Sequence, residues 1–194
     1  MEITSSQIKE LRDRTGISVM QCKKALEEAE GDMEKAAIVL KRKRSEAAEK
    51  KADRELGAGA VGVYLHNTKE VAAQVLLASE TDFVSKNEEF VKLANDIAMH
   101  VAASNPKFIS REEISDEIMQ KAKEVMLEEV KDKPADMQEK IMARKIDSYF
   151  KDQVLMEQPF IKNPETTIGE MITGAVQKFG ENVSIAQISR LSVK

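Results

Sequence analysis

The sequence predicts an α+β protein: an N-terminal three-helix bundle, a charged helical linker, and then a small antiparallel sheet packed with helices. Three observations predict it. Over the first forty residues apolar side chains recur at helical spacing between capping patterns. At "GAGAVGVYLH" the period switches to two, so that Val61, Val63 and Leu65 alternate as in a strand. Beyond residue 85 helical stretches are punctuated by Pro and Gly, and a period-two tail closes the chain. The implied segments are 1–40 (bundle), 41–56 (linker) and 57–194 (α+β core).

In the bundle, Thr4 and Gln7 form a capping-box pattern ahead of "IKELRDR", and Thr15-Gly16 interrupts the helix. Ser18 and Gln21 repeat the device before "VMQCKKALEEAE", which ends at Gly31. Asp32 is placed to cap a third helix with Met33, Ala36, Ala37 and Leu40 on one face. The expected core is Ile8, Leu11, Ala25, Leu26, Ala36 and Leu40, a small set that implies a marginal module. Three-helix bundles of the ubiquitin-associated type also carry a glycine in the first loop, so the bundle is ubiquitin-associated-like.

Residues 41–55, "KRKRSEAAEKKADRE", favour helix but offer no apolar face, which predicts an exposed helical linker. After it, "VGVYLH", the turn "NTK" and "EVAAQVLLAS" read as an antiparallel hairpin. Ser85 with Glu88 reads as the cap of a helix with Phe90, Val91, Ala94, Ile97, Ala98 and Val101 on one face, ending near Asn105-Pro106. Ser110 with Glu113 reads as the start of another, running to about Val130. Pro134 breaks that stretch, and Met137, Ile141, Ile146, Tyr149, Phe150 and Val154 trace its antiparallel neighbour. Thr167 with Glu170 caps a helix that Gly180 ends, with Ile168, Met171, Ile172, Ala175, Val176 and Phe179 inward. In the tail "NVSIAQISRLSV", Val183, Ile185, Leu191 and Val193 are expected on one face of a final strand.

Composition narrows the function. The 194 residues are 42% hydrophobic, enough for a buried core, and 33% charged, with 30 basic against 34 acidic side chains and a net charge of −4. No global charge draws this chain to nucleic acid. No apolar run approaches the ~20 residues of a membrane span, and "MEITSSQIKE" lacks the apolar stretch of a secretory signal, so a cytoplasmic location is expected. The single cysteine, Cys22, rules out an internal disulfide framework or a multi-cysteine zinc site, and its apolar helix face favours a buried thiol.

Chemistry is scarce. The sequence has no phosphate-loop pattern, GxGxxG, HExxH or GxSxG. His66 and His100 have no obvious partner and read as structural or surface residues. The pairs Glu88-Glu89 and Glu112-Glu113 fall in first helical turns, where they complement the helix dipole. No catalytic residue, metal site or cofactor is expected, and the chain is not read as an enzyme.

One stretch stands apart. "SETDFVSKNEEF" places Phe83 in a short polar turn between a strand and a helix start. From the residues alone, Thr81 or Asp82 caps a local turn and Phe83 packs on its own domain. Two motifs give a different answer. "LRDRTGISVMQCKKAL", Leu11 to Leu26, and "ETDFVSKN", Glu80 to Asn87, resemble in order the two signatures of the elongation factor Ts family. "KKALEEAEGDMEKA" and "EQPFIKNPETTIGE" resemble it as well, so the similarity runs end to end. Arg44 and Asp53 stand where that family often has glycine, and Ala78-Ser79 replaces its usual Asn-Cys. With one TDFV-type motif and one candidate core, the chain resembles the short, single-core form.

The resemblance implies nucleotide exchange on elongation factor Tu, with magnesium and phosphate contacts disrupted by a wedge. By motif match Asp82 and Phe83 enter the nucleotide-binding domain of Tu, while Thr81 and Val84 shape the turn. It also implies that the bundle docks on that domain, with Arg12, Val19, Met20 and Lys23 as contact residues. Unaided, the sequence slightly favours Val19 and Met20 as core. A single core with a free strand edge suggests a homodimer, two Ts with two Tu. Two other classes stay open: an RNA-associated protein using Lys41 to Arg44, Lys50 and Lys51, and a helical adaptor. Against the first, a chain of negative net charge favours a solvated face for that cluster, and no direct nucleic-acid or membrane partner is expected.

Overall fold

A computed structural model describes residues 3–130 and 135–193 of the chain. The protein is α+β and packs as two compact units, Met1–Glu55 with Thr173–Asn182, and Leu56–Ile172 with Val183–Lys194.

In the first unit, α1 (Ser5–Thr15), α2 (Val19–Glu28) and α3 (Met33–Glu49) start where the capping chemistry places them. Thr4 and Gln7 close a reciprocal capping box, the Ser18 hydroxyl accepts from the Gln21 amide, and Asp32 accepts from the amides of Glu34 and Lys35. Gly16 ends α1 at φ 68°, donating its N–H to the Arg12 carbonyl at 2.7 Å. Leu11, Ile17, Cys22, Ala25, Leu26, Ala29, Ala36 and Leu40 form the buried core, with Ile8 partly buried against it. The Cys22 thiol is therefore inside, as its helix face predicts.

Helix α3 continues without a break to Glu49 and turns follow. Its basic stretch is tied to the same unit: Arg42 and Lys43 both engage the Glu28 carboxylate, which they hold below the usual carboxylate range, the Lys43 hydrogen bond contributing most. Arg44 donates to the Gln177 side chain at 3.1 Å and the Thr15 carbonyl at 3.3 Å. Gln177 in turn donates to Gln21, and the Asn182 amide donates to the carbonyls of Ala52 and Arg54. Long-range polar contacts thus fasten residues 173–182 beside α1, α2 and α3.

The second unit is built on a three-stranded antiparallel sheet in the order β1-β2-β5, with β1 (Ala58–Leu65), β2 (Val71–Ser79) and β5 (Val183–Ser192). Helix α5 (Glu88–Ser104) covers one face through Phe90, Ala94, Ile97, Ala98 and Val101. It lies close on β1 because Gly62 has no side chain; a Cβ there would stand 2.1 Å from the Ala94 carbonyl. The edge amide of Val63 donates to Asn95 Oδ1 on α5 at 2.9 Å.

Several expectations are corrected here. Leu191 and Val193 do not share a face with Val183 and Ile185. The register shifts where Leu76 and Leu77 meet Gln187 and Ile185, leaving Ala186 as an extra residue, and this bulge reverses the alternation. Val183 is 2% exposed and Leu191 70%. Helix α5 is capped by Asn87, which accepts from the Glu89 amide, rather than by Ser85, because residues 82–85 close a helical turn of their own. Helix α6 (Asp116–Val130) starts at Ser115 rather than Ser110; residues 111–113 form a 3-10 turn, and Glu113 is drawn away to accept from the Ile109 amide. The break at Pro134 lies outside the described residues.

Helix α7 (Ala135–Lys151) packs on α6 and buries Phe150. A second 3-10 turn at Leu155–Glu157 leads into the two-stranded ladder of β3 (Pro159–Phe160) and β4 (Asn163–Thr167). This ladder is too short to leave a periodic signature. Arg111 joins these pieces, contacting Asp147 of α7 at 2.7 Å and Glu157 through both carboxylate oxygens. The capping box of Thr167 and Glu170 opens α8 (Ile168–Phe179), and Gly180 follows it at φ 75°.

Candidate partner-binding site

The TDFV turn follows directly from the end of β2. Ser79 is fully buried there, and its hydroxyl donates to the Thr81 carbonyl at 3.0 Å. Thr81 is extended, and α4 (Asp82–Ser85) makes one helical turn, with the Ser85 amide bonded to the Thr81 carbonyl and the Lys86 amide to that of Asp82. Val84 and Ser85 are buried, and the Ser85 hydroxyl donates to the Asp82 carbonyl at 3.2 Å. The second half of the turn is therefore anchored against β1 and β2, while the first half projects.

Phe83 is 84% exposed, more than any other large apolar side chain among the described residues. The alternative in which it packs on its own domain does not occur. Its neighbours explain this: Val84, at 4% exposure, and Ser85 take the inward positions of the turn. Asp82 lies on the projecting side, where Lys86 Nζ sits 2.7 Å from Oδ2 and holds the carboxyl below the usual range. Lys86 was not among the sequence candidates, although its i,i+4 spacing from Asp82 is legible in "DFVSK".

The bundle residues form a second group. Val19 and Met20 are exposed in the first turn of α2, and Lys23 follows on the next turn with an i,i+4 partner in Glu27 at 3.8 Å. The core reading of Val19 and Met20 fails because Ile17, Cys22, Ala25 and Leu26 already fill the inward positions. Arg12 is exposed in the last turn of α1, just before the left-handed Gly16.

A third exposed apolar surface was not anticipated. Val61, Val63 and Leu65 lie on the face of the sheet opposite α5, with Leu76 paired directly to Val61 and Leu191 beside Ala72. Among the described residues no helix is long and apolar enough to cross a membrane, and no group of three or more His, Cys, Asp or Glu side chains is placed to hold a metal ion.

Comparison with known proteins places the sequence in a family. The family described as Elongation factor TS matches residues 39–194. The elongation factor Ts of Thermodesulfovibrio yellowstonii is 45% identical over 194 residues, covering 100% of this chain and 97% of its own. That of Thermosipho melanesiensis is 44% identical over 193 residues, with 98% of each chain covered. That of Alkaliphilus oremlandii is 42% identical over 195 residues, covering 100% of this chain and 90% of its own. The likeness spans both the bundle and the sheet unit, and this chain belongs to the elongation factor Ts family.

Proposed function

We propose that this chain is a cytoplasmic translation elongation factor, the guanine nucleotide exchange factor of elongation factor Tu, and that it performs no bond chemistry of its own. The observation that carries the proposal is Phe83, an aromatic side chain held in solvent by a turn whose other half is buried. Leaving such a ring exposed forgoes about 2 kcal/mol of burial, which a crevice in a partner recovers. A GTPase holds its nucleotide through a phosphate loop and a magnesium ion bridging phosphate and protein oxygens. A ring wedged beside that site, with the Asp82 carboxylate next to it, displaces those groups and weakens the hold on GDP.

Exchange then needs only thermodynamics. The factor binds the nucleotide-free state more tightly than the loaded one, and by reciprocity the incoming nucleotide weakens binding of the factor. Arg12, Val19, Met20 and Lys23 serve as a docking surface for Tu, the apolar pair contributing contact and the basic pair orientation and encounter rate. Two attachments in one chain bind more tightly than either alone. An RNA-binding reading is disfavoured because Arg42, Lys43 and Arg44 are already engaged with Glu28, Gln177 and Thr15.

The assembly we propose is two Ts with two Tu. The apolar sheet face of Val61, Val63, Leu65, Leu76 and Leu191 supports a twofold Ts dimer more than the β1 edge does, since Asn95 already takes an edge amide. Sedimentation of the Val63→Lys variant is expected to show monomer where the natural chain shows dimer; a natural chain that stays monomeric at micromolar concentration removes the dimer.

The test of function is release of a fluorescent GDP analogue from purified Tu. The natural chain is expected to accelerate release, with Phe83→Ala and Asp82→Ala losing much of the acceleration while folded. No acceleration of a cognate Tu overturns the function; unimpaired variants overturn the wedge.

A further inference from the structure

We propose that His100 is a one-proton latch: its neutral imidazole fastens residues 158–161 to α5, and a second ring proton releases them. Sequence reading gave this histidine no partner. The structure buries it at 1% exposure between polar groups that fix its tautomer. The Ile161 N–H points at Nδ1 at 3.4 Å, so Nδ1 is an acceptor and the single ring proton sits on Nε2. Nε2 then donates to Gln158 Oε1 at 2.9 Å. The Gln158 amide is itself oriented, because its nitrogen donates to the Asp152 carbonyl at 2.6 Å.

Each partner in this relay has its donor and acceptor roles assigned. A proton added to Nδ1 meets an N–H instead of a lone pair, and the contact turns from attraction to repulsion in a place where water is excluded. Charged groups on the surrounding elements do not relieve it. Asp96 and Lys162 pair with each other at 2.7 Å, Glu157 is held by Arg111, and Asp152 offers its backbone carbonyl, already used by Gln158. The Phe160 ring is a tilted neighbour at 6.1 Å. Burial lowers the affinity of His100 for a second proton, and the Gln158 hydrogen bond opposes it.

The sign follows. A histidine whose folded-state affinity for protons lies below its unfolded value contributes stability that is present above the unfolded pKa and is lost as pH falls through the folded one. The loss is local, because the relay ends on Gln158, Ile161 and the turn after α7. Ile161, with Met99, Ala102 and Val71, also walls a groove of about 430 Å³, so releasing the segment opens that wall.

The experiment is nitrogen-resolved NMR of the imidazoles in the full chain from pH 8 to pH 5, with amide exchange followed at residues 158–163. The expected results are the Nε2–H tautomer at pH 8, a His100 midpoint below the ordinary histidine value, and exchange at Phe160 and Ile161 rising at least tenfold with the His100 midpoint after correction for intrinsic rates. Gln158→Glu places a carboxylate at Nε2 and is expected to raise the midpoint by a pH unit or more, a shift that packing alone does not cause. His100→Phe should remove the pH dependence of exchange. An Nδ1–H tautomer, titration of His100 without a change in exchange, or an unmoved midpoint in Gln158→Glu overturns the latch, and the last of these stands even if the Phe variant does not fold.

Discussion

Lys86 Nζ lies 2.7 Å from Asp82 Oδ2, one helical turn away on the exposed side of the TDFV turn. The pair aims the carboxylate without burying it, and it keeps Asp82 ionised well below neutral pH. Because the folded carboxyl is depressed, any contribution of its charge is lost only as pH falls through that lowered value. The ratio of exchange rates for the natural chain and Asp82→Asn is therefore expected to stay constant from pH 8 to pH 6. A ratio that collapses within that range shows that another group carries the effect.

Phe83 gives a size-graded prediction. If Phe83 is the wedge we propose, truncation to alanine is expected to lose about 2 kcal/mol of contact, an order of thirtyfold in affinity for nucleotide-free Tu. Phe83→Leu should fall between. Because the ring touches solvent rather than its own core, thermal unfolding of both variants is expected within about 0.5 kcal/mol of the natural chain. A markedly destabilised alanine variant assigns the ring a folding role instead.

The α2 patch separates rate from affinity. Met20→Ala and Val19→Ala should mainly speed dissociation from Tu, whereas Lys23→Glu should slow association and weaken its dependence on salt. Stopped-flow binding at two ionic strengths distinguishes them. Equal effects of all three on dissociation alone argue that Lys23 is a contact rather than a steering charge.

Gly62 tests the fold that carries the turn. A methyl at this position runs into the Ala94 carbonyl, backbone that cannot rotate aside, so Gly62→Ala is expected to cost about 3 kcal/mol or more in urea unfolding. The same change at Gly57, whose Cβ position meets only the Glu80 carbonyl at 3.4 Å, should cost far less. Similar losses at both sites, one inside β1 and one just before it, place the penalty in the loss of glycine itself rather than in the approach of α5.

Helix starts were legible wherever the capping partners are local. Thr4-Gln7, Asp32 and Thr167-Glu170 each complete their hydrogen bonds within three residues, whereas Ser18 accepts only from the Gln21 amide and the Gln21 side chain accepts from Gln177 instead of closing the box. The pattern misled where a competitor stood nearby. Glu113 was taken by the Ile109 amide, and Ser85 was already used at the end of α4. The β3–β4 ladder left no trace because it is too short to show a period, and the His100 relay left none because Gln158 and Ile161 lie far from it in the chain.

The sequence by itself determined the helices with local caps, the hairpin of β1 and β2, the α+β class and, through its two motifs, the resemblance to a family. Only the tertiary structure decided which way side chains face. Val84 and Ser85 filled the inward positions of their turn, so Phe83 was left in solvent; the core of α2 was complete without Val19 and Met20; and the bulge at Ala186 turned Leu191 outward. The physical reason is common to all three. Periodicity suggests which residues share a face, but which face is buried, and where a bulge breaks the alternation, depend on partners distant in the chain.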